Sequence, residues 1–226
     1  MGFDFSKLPQ VITAIGGLGT AAFGLVDASK VLGDLGPNRI GFGSIEAVIK
    51  SLTPDAPTNG LSQSKIVDTL KSNWFNGTDL SGQKAIAKTL VKQNLNPTNA
   101  GELAHKTGVD PTVLTSVATK IAAGTALSNE ITDEINVNAR FDLILTALLD
   151  ETYQHADNIY RNWTRAIAGV VAVGLAIAGG FVLDAANPHV LQCLIVGLLA
   201  TPLAPIAKDL STALATAVNT LQAVRK

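Results

Sequence analysis

The longest stretch of the chain without a polar side chain is Ala166–Leu183, AIAGVVAVGLAIAGGFVL, eighteen residues in all. A helix needs roughly 20 apolar residues to cross a hydrocarbon core about 30 Å thick, so this run predicts a transmembrane helix. After the break Asp184–His189, a second run, Val190–Ala207, carries only Gln192, Cys193 and Thr201 as polar interruptions. The two predict a transmembrane helix hairpin over 166–207. Pro202 and Pro205 each lack a backbone donor, which predicts a kink or unwinding near the end of the second arm. A hairpin buried in a soluble core is the alternative, but a chain of this length could scarcely surround both helices. A third apolar stretch, Val11–Val26, is closed by Asp27 and Lys30 and predicts an N-terminal membrane helix. A signal peptide is its rival, although Val26-Asp27-Ala28 makes a poor cleavage site.

Between these segments the pattern changes to short amphipathic repeats separated by breakers such as Gly36-Pro37-Asn38, Thr53-Pro54-Asp55, Asn96-Pro97 and Asp110-Pro111. Helices are predicted at 43–52, 61–74, 80–94, 98–107 and 111–123. Ile66, Leu70 and Trp74 fall on one helical face, as do Ile86, Leu90 and Val91 on the next. Lys84, Lys88 and Lys92 form the opposite stripe of that second helix, expected to be a solvated face. From about Asn129 one long helix is predicted, with Phe141, Leu145, Leu148, Thr152, Ala156, Ile159 and Trp163 stepping by four and three. Leu210, Leu214, Ala217, Leu221 and Val224 repeat the step in the tail. The tail is expected to lie against the 130–165 helix as a stalk, within one chain or between chains.

The fold class read from this pattern is all-α: an integral membrane protein with a C-terminal transmembrane hairpin, an N-terminal transmembrane helix and a helical cytoplasmic domain. Its divisions are a membrane helix over 1–30, a soluble multi-helix domain over 31–129 and a stalk helix over 130–165. The hairpin over 166–207 and an amphipathic helix over 208–226 complete it. Composition agrees, since only 15% of residues are charged against about 25% in typical soluble domains. The net charge of −1 supplies no basic field for nucleic acid or acidic lipid. Lys30, Arg161, Arg165 and Lys208 would share one membrane side, while the hairpin tip has no Lys or Arg. The positive-inside rule then predicts that the middle domain and C-terminus lie in the cytoplasm, and a bacterial inner (cytoplasmic) membrane is the expected location. Three spans put the N-terminus outside. Tyr160, Arg161, Trp163, Arg165 and Lys208 are the expected interfacial anchors.

Candidate chemistry is sparse. Glu102–Ile121, ELAHKTGVDPTVLTSVATKI, resembles a bacterial helix-turn-helix over about twenty residues. The presumed reading helix, Pro111–Lys120, has one lysine, whereas DNA affinity rests heavily on phosphate contacts by Lys and Arg. A plain packing unit is therefore expected, with no nucleic-acid partner. His105, His155 and His189 lie in separate segments, and no His or Cys pair has metal-ligand spacing. Glu151 and His155 are four apart, the spacing of a helix-surface ion pair. Neither a cofactor, a metal nor a catalytic group is expected, and the chain does not read as an enzyme. The membrane helices carry an association signal instead: small residues at Gly16, Thr20 and Gly24, and at Ala168, Ala172, Ala176 and Gly180. Such spacing lets helix backbones approach closely, within one chain or between subunits. The expected function is a self-associating scaffold or structural subunit of a membrane assembly, with the lipid bilayer and a homo-oligomer or complex partner as its contacts. A pore, including a toxin-like inserting hairpin, is the alternative, and a membrane-tethered DNA-binding regulator the second.

Overall fold

The computed structural model describes residues 8–29, 37–54, 61–125 and 132–205, and every regular element among them is a helix. In chain order these are α1 (Leu8–Ser29), α2 (Pro37–Leu52), α3 (Gln63–Phe75), α4 (Leu80–Asn94), α5 (Ala100–Thr107), α6 (Pro111–Ala122) and α7 (Thr132–Leu183). An eighth, α8, covers Val190–Pro205. Two of them, α1 and α7, are long and apolar enough to cross a membrane.

Local chemistry sets the helix ends. Asp79 accepts the Gly82 amide at 2.9 Å to start α4. Asp110 accepts both the Thr112 and Val113 amides at 2.9 Å, with Pro111 in the first turn, to start α6. Gly108 closes α5 at φ 63°, a left-handed conformation that costs glycine nothing. The α4 bounds match the sequence expectation. Helix α2 instead begins six residues before its predicted start, because Pro37 opens a helix as readily as it breaks one.

The described residues fall into two compact units: 38–160, and the segments on either side of it. In the first unit, Phe42, Ile45 and Ile49 of α2 meet Ile66 and Leu70 of α3, with Leu103 of α5 and Leu114 of α6 in the same core. Phe141, Leu145, Leu149, Tyr153 and Ala156 of α7 join them. The contacts thus divide the chain differently from the predicted boundaries. The segment expected to be a stalk over 130–165 is, as far as Tyr160, a core element of the middle unit. The reason is its pattern: Phe141, Leu145, Thr152 and Ala156 of the predicted row are buried, and Leu149 and Tyr153 are buried beside them, a face wider than a two-helix seam. Leu148 and Ile159 are half-buried instead. The tail helix over 208–226 lies outside the described residues.

The lysine stripe of α4 is not merely solvated. Lys84 pairs with Asp150, while Lys88 and Lys92 both hold Asp142. Asp142 and Asp150 are eight apart, as are Lys84 and Lys92, so the two rows meet like rungs between antiparallel helices. The Lys88 ammonium, opposed by partial burial and helped by Lys92, holds the Asp142 carboxyl below its usual range. A carboxylate with a depressed folded pKa contributes stability above its unfolded value, and that contribution disappears as pH falls through the folded value. Asp142→Asn is therefore expected to cost roughly 1 kcal/mol at neutral pH, since both partners remain partly solvated. The penalty should shrink as pH falls below the ordinary aspartate range and through the depressed folded value of the native carboxyl. Denaturant midpoints of the full chain at several pH values check this; a pH-independent penalty would contradict it.

Candidate functional site

The second unit contains α1, the later part of α7 and α8. Its packing can be read from the glycines. A side-chain carbon at Gly180 would meet the Cys193 sulfur at 2.5 Å, and one at Gly197 would meet the Val173 Cα at 2.5 Å. One at Gly169 would lie 3.7 Å from the Thr201 hydroxyl. The pairs 180 with 193, 173 with 197, and 169 with 201 define an antiparallel hairpin. Helix α1 packs against the pair at Gly19, where a side chain would run into the Ala200 carbonyl oxygen and touch the Ala204 Cβ at 3.0 Å. Ala22, Ala172 and Ala200 form the fully buried centre, flanked by Ile15, Leu18, Val171 and Leu175.

Among the described residues of this unit the buried ones are small, Val26 excepted, while its large apolar side chains are otherwise exposed or half-buried. Val170 and Leu191 are each 73% exposed and Leu198 59%, while Ala168, Ala172 and Ala200 are wholly buried. Only 11% of the apolar window of α7 is buried. The unit over 38–160 does the reverse, hiding Phe42, Phe141 and Tyr153. Water drives large apolar side chains inward, whereas lipid does not, and close backbone approach then decides which residues meet.

Among the predicted packing residues, Gly16, Ala168 and Ala172 are buried and Ala176 and Gly180 half-buried. Thr20 and Gly24 face outward, and the Thr20 hydroxyl donates back to the Gly16 carbonyl at 3.0 Å. Sequence reasoning missed Gly19, Gly197 and Ala200. The signal was there in Gly197, Ala200 and Ala204, three small residues at helical spacing inside a Leu-rich run. Of the expected anchors, Arg161, Trp163 and Arg165 are exposed. Tyr160 belongs to the other unit, where it packs edge-on to Trp74. Lys208 lies outside the described residues. Helix α8 stays helical through Pro202, so the expected unwinding does not occur up to Pro205.

No cluster of three His, Cys, Asp or Glu side chains suited to a metal occurs among the described residues. The helix-turn-helix segment forms α5 and α6, but its one lysine on the presumed reading helix, Lys120, is held by Glu134 at 2.7 Å. Ser116 donates to the other oxygen of the same carboxylate at 2.7 Å. Lys120 first, then Ser116, keep the Glu134 carboxyl below its ordinary range. No protein-family model, no curated protein and no solved structure matches the chain.

Proposed function

We propose that the chain is a non-enzymatic integral membrane protein that self-associates, acting as a scaffold or structural subunit of a membrane assembly. The burial pattern of the α1, α7 and α8 unit carries this reading: apart from Val26 its buried residues are Ala and Gly, while Val170, Phe181, Leu191 and Leu198 are exposed. A water-soluble unit of that composition would expose an apolar patch far larger than monomers tolerate. Self-association is supported by a second small-residue row on α1, where Gly17, Ala21, Gly24 and Ala28 are all exposed. Open space surrounds both Gly17 and Gly24, so a neighbouring helix could approach the α1 backbone there. For location, Arg161 and Arg165 precede the apolar part of α7, and the tip from Asp184 to His189 has no Lys or Arg. The positive-inside rule then favours an orientation with residues 38–160 and the C-terminus in the cytoplasm.

The test is the particle mass of the full chain extracted in mild detergent. The wild type is expected at a multiple of the chain mass, and Gly24→Leu at the mass of a single chain. A wild-type particle containing one chain and no partner would overturn the assembly reading.

A further inference from the structure

Within the same unit a cavity of about 420 Å³ lies between α1, α7 and α8. It exists because Ala14, Ala176, Gly179 and Gly180 along its walls have little or no side chain to fill it. Its lining on α7 runs from Leu175 to Leu183, roughly 12 Å of helix at 1.5 Å per residue. The cavity is therefore elongated along α7. The polar side chain that lines it is Gln192, with the weakly polar thiol of Cys193 beside it, both in the first turn of α8 next to the Asp184–His189 tip. Its other walls are apolar. Leu183, one of its walls, is 89% exposed.

We infer that this groove holds one acyl chain of a membrane phospholipid, lying along α7 with its polar end at Gln192. The inference rests on the membrane reading above, because it treats the surrounding apolar surface as lipid-facing. The volume falls within the roughly 300–1,000 Å³ range of small-ligand sites. Direction and polarity select the occupant. A chain parallel to the helices runs along the bilayer normal, and the one amide lies at the end where a spanning hairpin would reach the interface. A globular apolar ligand would need neither feature. Filling the groove with a lipid chain also restores the van der Waals contacts that the missing side chains leave unmade.

Gly179 offers a clean test, since a side chain added there meets nothing within 4 Å and would project into open space. The full chain is released from detergent micelles containing phosphatidylcholine and weighed by native mass spectrometry. The wild type is expected to keep a phosphatidylcholine under activation that strips detergent, and Gly179→Leu to lose it. Ala14→Phe fills the groove from the α1 side and should behave alike, so misfolding of one variant leaves the other to decide. Equal phosphatidylcholine retention by wild type and both variants would overturn the groove while leaving membrane insertion intact. A chain that stays dispersed without detergent or vesicles would overturn the membrane reading itself, and the groove inference with it.

Discussion

Gly197→Leu is expected to pull the α7–α8 hairpin apart, at a cost of about 3 kcal/mol, the upper part of the usual range for overpacking. Gly197 is buried, and an added Cβ would meet the Val173 Cα at 2.5 Å, its nitrogen at 2.9 Å and its Cγ2 at 2.9 Å. Two of these three neighbours are backbone atoms, which cannot rotate away. The helices must separate, and separation also loosens Gly180 against Cys193 and Gly169 against Thr201. On the membrane reading proposed above, no hydrophobic force recovers the loss, because lipid tails are as apolar as the side chains. Gly174→Leu is the matched control, since Gly174 is exposed and an added carbon there meets nothing within 4 Å. It should stay within about 0.5 kcal/mol of wild type. Helicity followed through a titration from mild detergent into sodium dodecyl sulfate reads both variants. Equal losses would mean that leucine disturbs α7 and α8 generally, and the close approach at Gly197 would not stand.

That contrast marks how far the sequence could be read. A long unbroken run needs no partner to be recognised, so Ala166–Leu183 and Val190–Ala207 stood out as apolar, and both are helical over their described residues. Which glycines touch is a different matter. A row of small residues every four positions picks out Gly16, Thr20 and Gly24, yet the helix surface that packs drifts by 3.6 residues per turn and uses Gly16, Gly19 and Ala22. The α4 lysine row was visible, but its meaning depended on Asp142 and Asp150, fifty or more positions away. Periodicity is local, whereas pairing of helices distant in sequence is not.

The two units also apply opposite burial rules within one chain, which explains why single-residue reasoning succeeded unevenly. Over 38–160 the ordinary aqueous rule holds, so Ile66, Leu70 and Trp74 were legible as core. Around Ala172 the same rule would have put Leu191 and Leu198 inside, and both are out. Deciding which solvent a segment meets has to precede deciding which of its faces is buried. Tyr160 stood at the edge of that decision. It reads as an interfacial aromatic by position, but its ring lies 6.2 Å from that of Trp74 at 84°.

Trp74→Ala is expected to be the most damaging of the single changes in the 38–160 unit, costing about 3–5 kcal/mol. Trp74 is 8% exposed and reaches across α2, where its indole nitrogen donates to the Asn38 carbonyl at 3.1 Å. That approach is possible because residue 41 is glycine. A Cβ there would sit 2.9 Å from the indole Cζ2, 3.0 Å from the Ala156 carbonyl oxygen and 3.1 Å from the Tyr160 Cβ. The tryptophan therefore joins α2, α3 and α7 at one point, and alanine would leave a cavity that three helices cannot close together. Trp74→Phe separates the contributions. It keeps an aromatic ring near Tyr160 but removes the indole donor to the Asn38 carbonyl, a single hydrogen bond worth about 0.5–1.5 kcal/mol. Denaturant midpoints of the full chain in mild detergent, read by near-ultraviolet circular dichroism, order the three proteins as wild type, then Trp74→Phe, then Trp74→Ala. A loss below about 1 kcal/mol for the alanine variant would show that the junction is not set by this side chain, since that is the size of an ordinary mutational effect.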